Sequence, residues 1–88
     1  MGKAVYYAKV PKREIAYIRF IFEGYEHIGN VRTLDSIRGL IEFVISPDFD
    51  EDFHFVVNAL KESISLELIE KPEGYESIVD MDPNTSGG

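Results

Sequence analysis

Four of the nine lysines and arginines, Lys9, Lys12, Arg13 and Arg19, fall within eleven residues. Pro11 stands among them, and a proline there breaks a strand and suits the first turn of a helix. Basic side chains at a helix start, where free backbone amides also point outward, suit an anion. Pro11, Lys12 and Arg13 are therefore candidate ligand-binding residues. The competing reading is ordinary solvated charge, paired with Glu14 and Glu23.

Other chemistry is weaker. The acid run Asp48-Phe-Asp-Glu-Asp52 has carboxylates at metal-like spacing, but it lacks the central glycine and distal glutamate of a calcium loop. It reads as a solvated helix start. His27 and His54 stand apart from each other, and a metal would need the fold to join them with acids. Arg38-Gly-Leu-Ile-Glu-Phe-Val-Ile45 echoes an RNA-recognition signature, but Leu40 and Glu42 hold the positions where bases would stack. Serine and threonine occur in no nucleophile elbow, and no phosphate loop is present. No catalytic residue, metal or cofactor is expected, and the chain is read as a non-enzyme.

Composition narrows the classes further. The chain has 88 residues, a net charge of -7, 44% hydrophobic residues and no cysteine. That length suits one domain. The negative charge disfavours nucleic acid, whose phosphates draw affinity from Lys and Arg. Without cysteine there is no disulfide framework and no thiolate chemistry. No apolar run approaches the roughly 20 residues of a membrane span, nor a signal sequence, so a cytoplasmic protein is expected.

The elements that must position these residues follow from periodicity. Ala4–Val10 reads as a strand with apolar groups on both faces, which suits the centre of a sheet. Ile15, Ile18, Phe22 and Tyr25 recur on one face of a helix, with Gly24 as its stop. Ile28–Leu34 and Leu40–Ile45, joined by Asp35–Gly39, read as a hairpin. Asp50–Ile64 is a second helix carrying Phe53, Val57, Leu60 and Ile64 inward. Ser65–Glu70 is a fourth strand. The order β-α-β-β-α-β predicts an α+β ferredoxin-like sandwich: a four-stranded antiparallel sheet with two helices on one face. One domain is expected over residues 1–79, with Tyr75, Ile78 and Val79 packing back on it, and a mobile tail over 80–88.

Tyr7-Ala-Lys-Val-Pro-Lys-Arg-Glu-Ile15, Arg19-Phe-Ile-Phe-Glu-Gly-Tyr25, Thr33-Leu-Asp35 and Gly39-Leu-Ile-Glu42 carry a likeness across about three-quarters of the chain. They resemble a small, uncharacterised family of bacterial domains found largely in thermophiles and anaerobes. More distantly, Pro11, Ile15, Ile18 and Gly29-Asn30-Val31 make the layout similar to the ACT domain, an amino-acid-sensing module. That resemblance implies an effector site between the first strand–helix loop and a neighbouring subunit, and it adds Asn30 to Pro11, Lys12 and Arg13. ACT domains typically carry Asp-x-Pro-Gly in that loop. Here the loop reads Lys9-Val10-Pro11-Lys12-Arg13, so side-chain charge would replace the glycine's amides.

The expected function is thus a non-catalytic, ACT-like regulatory module that binds a small anionic metabolite and acts as a homodimer. Tyr17, Phe20 and Phe55 are the candidate interface residues. Tyr17 and Phe20 widen the apolar arc of the first helix, and Phe55 lies about 200° around the second helix from Phe53. The alternative is a protein-interaction module that docks on a larger enzyme through its open sheet face, with no small ligand.

Overall fold

The computed structural model describes residues 3–74. β1 (Ala4–Lys9) leads through a 3-10 turn (Lys12–Glu14) into α1 (Ile15–Glu23). β2 (Gly29–Asp35) and β3 (Leu40–Ile45) follow. A second 3-10 turn (Pro47–Phe49) opens α2 (Asp50–Lys61), and β4 (Glu67–Ile69) completes the sheet. The strand order is β2-β3-β1-β4, with every neighbouring pair antiparallel. This is the ferredoxin-like, ACT-like βαββαβ sandwich that the sequence predicts. β1, apolar on both faces, does take a central position.

Both helices pack on one sheet face. Ile15, Ile18 and Phe22 of α1 and Phe53, Val56, Val57 and Leu60 of α2 close on Ala8, Ile41, Phe43 and Ile45. Phe43 is fully buried and meets the rings of Phe22 and Phe53 at 5.1 and 5.0 Å, within the range where aromatic pairs attract. α2 also follows the dipole rule, with Asp50, Glu51 and Asp52 in its first turn and Lys61 in its last.

Several boundaries differ from the sequence expectation. Both helices begin with a 3-10 turn, one following Pro11 and the other with Pro47 in its first turn. α1 ends at Glu23, so Tyr25 leaves the buried stripe and is 40% exposed. Gly24 caps α1 with a right-handed φ of -79°, not the left-handed one expected of a glycine stop. The last turn instead tightens, with the Gly24 and Tyr25 amides donating to Ile21 and Phe22 carbonyls, each at 3.1 Å. α2 stops at Lys61, three residues before Ile64, and β4 shrinks to three residues. The β2–β3 turn forms as expected. Asp35 Oδ1 accepts from the Ile37 and Arg38 amides, both at 3.0 Å, which is the side-chain closure that favours Asp in turns. The expectations for Tyr75, Ile78, Val79 and the tail over 80–88 lie outside the described residues.

Candidate functional site

A groove of about 610 Å³ runs between α1 and the sheet edge at β2. Its wall on that side is a stripe at helical spacing, Lys12 from the 3-10 turn and Ala16, Arg19, Phe20 and Glu23 from α1. Lys12 and Arg19 are seven residues apart, about two turns, so they share that stripe. Thr33 and Ser36 face them from β2 and its turn. Among the described residues, neither Lys12 nor Arg19 is ion-paired. The Thr33 hydroxyl is shielded from solvent and has no hydrogen-bond partner among the described residues. A buried hydroxyl left in that state costs about 1–3 kcal/mol. Phe20, 69% exposed, stands in the same wall. The groove therefore offers two cations, two hydroxyls and an apolar ring, against one carboxylate at Glu23.

The four residues expected to bind a ligand are not all brought together. Lys12 lies in this groove. Asn30 lies in an adjoining depression of about 130 Å³, which shares Arg19 and Glu23 with it. Pro11 and Arg13 line a different depression, against the α2–β4 connection at Lys61–Ser65. Arg13 is one residue from Lys12, about 100° around a helix, and its side chain is 81% exposed, with Nε 3.6 Å from Glu14. Arg19, Thr33 and Ser36 are the groove residues that the sequence reading left out of the site. Arg19 was detectable from its seven-residue spacing to Lys12. The hydroxyls were not, because only the sheet register brings β2 beside α1.

The interface candidates also divide. Tyr17 and Phe55 line one groove of about 280 Å³ on the outer side of the two helices, together with Tyr25. Phe55 is 76% exposed, as its helical phase predicts. Phe20 belongs to the α1–β2 groove instead.

A polar cluster joins β1 to α2. The Tyr6 hydroxyl donates to Asp50 Oδ1, His54 Nε2 lies 3.3 Å from the Tyr6 oxygen, and the Tyr6 ring stacks on Phe53 at 4.7 Å. His27 packs edge-on against Phe49 rather than joining this cluster. Among the described residues, no three His, Asp or Glu side chains converge as metal ligands. The hydrogen bond to Asp50, with burial and the Asp50 charge adding to it, raises the Tyr6 pKa above 10.0. A raised folded-state pKa contributes stability that is fully present below pH 10 and lost as pH climbs through the folded value. The guanidinium midpoint is thus expected to fall above pH 10 more steeply than in Tyr6→Phe. Parallel curves for the two proteins would remove Tyr6 as the cause.

Residues 8–64, from near the end of β1 past the end of α2, match a family described as a domain of unknown function, DUF4911. The chain belongs to the DUF4911 family. No curated protein and no solved structure matches it. The part of the chain matched to DUF4911 contains the whole α1–β2 groove and both helices. Among the described residues, no helix of this DUF4911 domain is long and apolar enough to cross a membrane.

Proposed function

We propose that this domain is a non-catalytic regulatory module of the cytoplasm that binds a small anionic ligand in the α1–β2 groove and works as a homodimer. The observation that carries the reading is the pairing of Lys12 and Arg19, free of salt bridges among the described residues, on one helical stripe opposite Thr33 and Ser36. Arg19 offers a planar fork to a carboxylate or phosphate, and Lys12 a second positive charge. The exposed ring of Phe20 suits a ligand with an apolar part. The groove is open to solvent, so a second subunit is what would enclose the ligand. Binding then favours the dimer, because the ligand gains only where the pocket is complete.

A panel of small carboxylates and phosphates tests this through the guanidinium midpoint of the full chain. A ligand at 100 times its dissociation constant adds about 2.7 kcal/mol. Lys12→Glu and Arg19→Glu are each expected to abolish that gain while the unliganded midpoint stays within about 0.5 kcal/mol. A gain that survives both substitutions places the ligand elsewhere. A single-chain mass in light scattering at high micromolar concentration, with ligand present, removes the dimer.

The second reading is docking on a larger enzyme without a small ligand. Tyr17, Tyr25 and Phe55, 43%, 40% and 76% exposed around one inter-helical groove, favour it. A flat response to the whole panel would move the weight to that reading, with Phe55→Glu as the variant that loses the partner.

A further inference from the structure

We propose that the α1–β2 groove takes an elongated dianion, a molecule with an anionic group at each end and an uncharged chain between them. This rests on the reading of the groove as an anion site and names the class of ligand it would hold. Lys12 and Arg19 are the cations of the groove. Lys12 lies in the 3-10 turn, which rises about 2.0 Å per residue, and Arg19 in α1, which rises about 1.5 Å. Along the stripe the two therefore stand about 12 Å apart. Helical side chains lean the same way, toward the N-terminus, so the charged heads keep that order of separation. A carboxylate bonded to one head at about 2.8 Å lies well short of the other. Two anionic groups, one on each head, stand about 6–12 Å from each other.

The space between the heads suits an uncharged chain. Ala16 follows Lys12 by four residues and precedes Arg19 by three, so the smallest side chain of the stripe lies between two long ones. It leaves a trough there, lined by Ile15, with the exposed Phe20 ring alongside. The two ends differ. Arg19 and Glu23 also line the depression beside Gly29, Asn30 and Val31, so β2 runs antiparallel to α1, and Thr33 and Ser36 fall toward Lys12. The Lys12 ammonium is a point charge without a fork. The Thr33 hydroxyl, shielded from solvent and without a hydrogen-bond partner among the described residues, adds a directed bond at that end. At the other end the planar Arg19 guanidinium matches a carboxylate through two parallel bonds. Glu23, one turn past Arg19, repels an anion that overruns the groove and so limits the ligand's length from that side. A net charge of -7 disfavours dianions in general. Two cations outside any ion pair among the described residues, held at a matching distance, offset that repulsion.

Calorimetric titration of the full chain at low salt tests this with straight-chain dicarboxylates and monocarboxylates of matched length. Extended adipate and suberate fit the span between the two cations, and succinate is too short. Adipate or suberate is expected to bind at least about tenfold more tightly than hexanoate or octanoate, the contribution of one charged hydrogen bond, and more tightly than succinate. Lys12→Met and Arg19→Met are each expected to lower the dicarboxylate to the affinity of the monocarboxylate. In isotope-labelled protein, the Ala16, Phe20 and Thr33 amides should shift on addition of adipate, while those of Lys61 and Ser63 at the α2–β4 connection hold. Equal affinity for dicarboxylates and monocarboxylates, lost in both variants, overturns the proposal and leaves the groove a site for a single anion. Dicarboxylate affinity unchanged by either substitution, or greatest for succinate, also overturns it. So does the absence of dicarboxylate binding. In that case inorganic phosphate decides the broader reading, which stands if phosphate binds the unsubstituted chain and not the Lys12→Met or Arg19→Met variants, and falls if it does not bind.

Discussion

Replacing Gly39 by valine is expected to leave a chain without a cooperative unfolding transition. Gly39 closes the β2–β3 turn at a φ of 73°, in the left-handed region that a β-branched residue rarely enters. A side chain there also has nowhere to go. A Cβ on Gly39 would sit 1.9 Å from the Val10 carbonyl oxygen, a backbone atom that cannot swing aside. The Val10 amide donates to the Gly39 carbonyl at 2.9 Å, so relief of the clash pulls apart a bond that ties the β1 exit to the hairpin. Backbone strain alone costs about 1–3 kcal/mol. The collision and the lost hydrogen bond bring the total to the order of a small domain's whole stability, about 5 kcal/mol at the low end. Gly74 separates the two contributions. It has a φ of 88° with no atom of the described residues near its would-be Cβ, so Gly74→Ala shows strain without collision, on the order of 1 kcal/mol. Gly39→Ala is expected to cost several times more. Equal midpoint losses for the two alanine variants would show that close approach to Val10 plays no part.

That contrast also marks what a sequence can and cannot carry. Asp35-Ser-Ile-Arg-Gly39 announces a turn because Asp and Gly have local reasons to be in one. The requirement that position 39 be bare comes from Val10, twenty-nine residues away, and has no local sign. The fold was legible because element order, helical periodicity and strand composition are all local. Helix ends were less so, since Gly24 stops α1 through tightened carbonyl contacts rather than its own left-handed backbone. The site was legible by half. Lys12 and Arg19 stand on one stripe by arithmetic, but Arg13, next to Lys12 in sequence, lines the depression at the α2–β4 connection. Thr33 and Ser36 join the groove only through the sheet register. Asn30 enters by an adjoining depression, and Pro11 faces the α2–β4 connection. The sequence reading also gave β1 a second apolar face through Val5 and Tyr7, but not the burial of a glutamate at its centre.

That glutamate gives the second large effect. Arg32→Met is expected to cost roughly 2–3 kcal/mol in the guanidinium midpoint, a little under the usual range for breaking a buried pair, because Arg32 is 31% exposed. Arg32 Nε lies 3.2 Å from Glu42 Oε1, and the Glu42 side chain has no solvent exposure. Removing the guanidinium takes away positive charge beside a carboxylate that cannot turn to water. Glu42→Met is milder, about 1 kcal/mol, since Arg32, 31% exposed, can turn to solvent where the Glu42 carboxylate is removed. The double variant Arg32→Met/Glu42→Met removes both charges of the pair. It is expected to be more stable than Arg32→Met alone, which no additive scheme permits. The same measurement weighs the sheet face as a whole. Were that face open to water, Glu42 would be solvated and the pair would behave as a surface ion pair, where Arg32→Met costs about 0–1 kcal/mol and the two substitutions add. A loss of 2–3 kcal/mol with a rescuing second substitution therefore requires a covered face, and additive, sub-kilocalorie effects would leave it bare. The two outcomes also direct the search for partners: a covered face confines association to the helix side and the α1–β2 groove, whereas a bare one returns the sheet itself to the surfaces on offer.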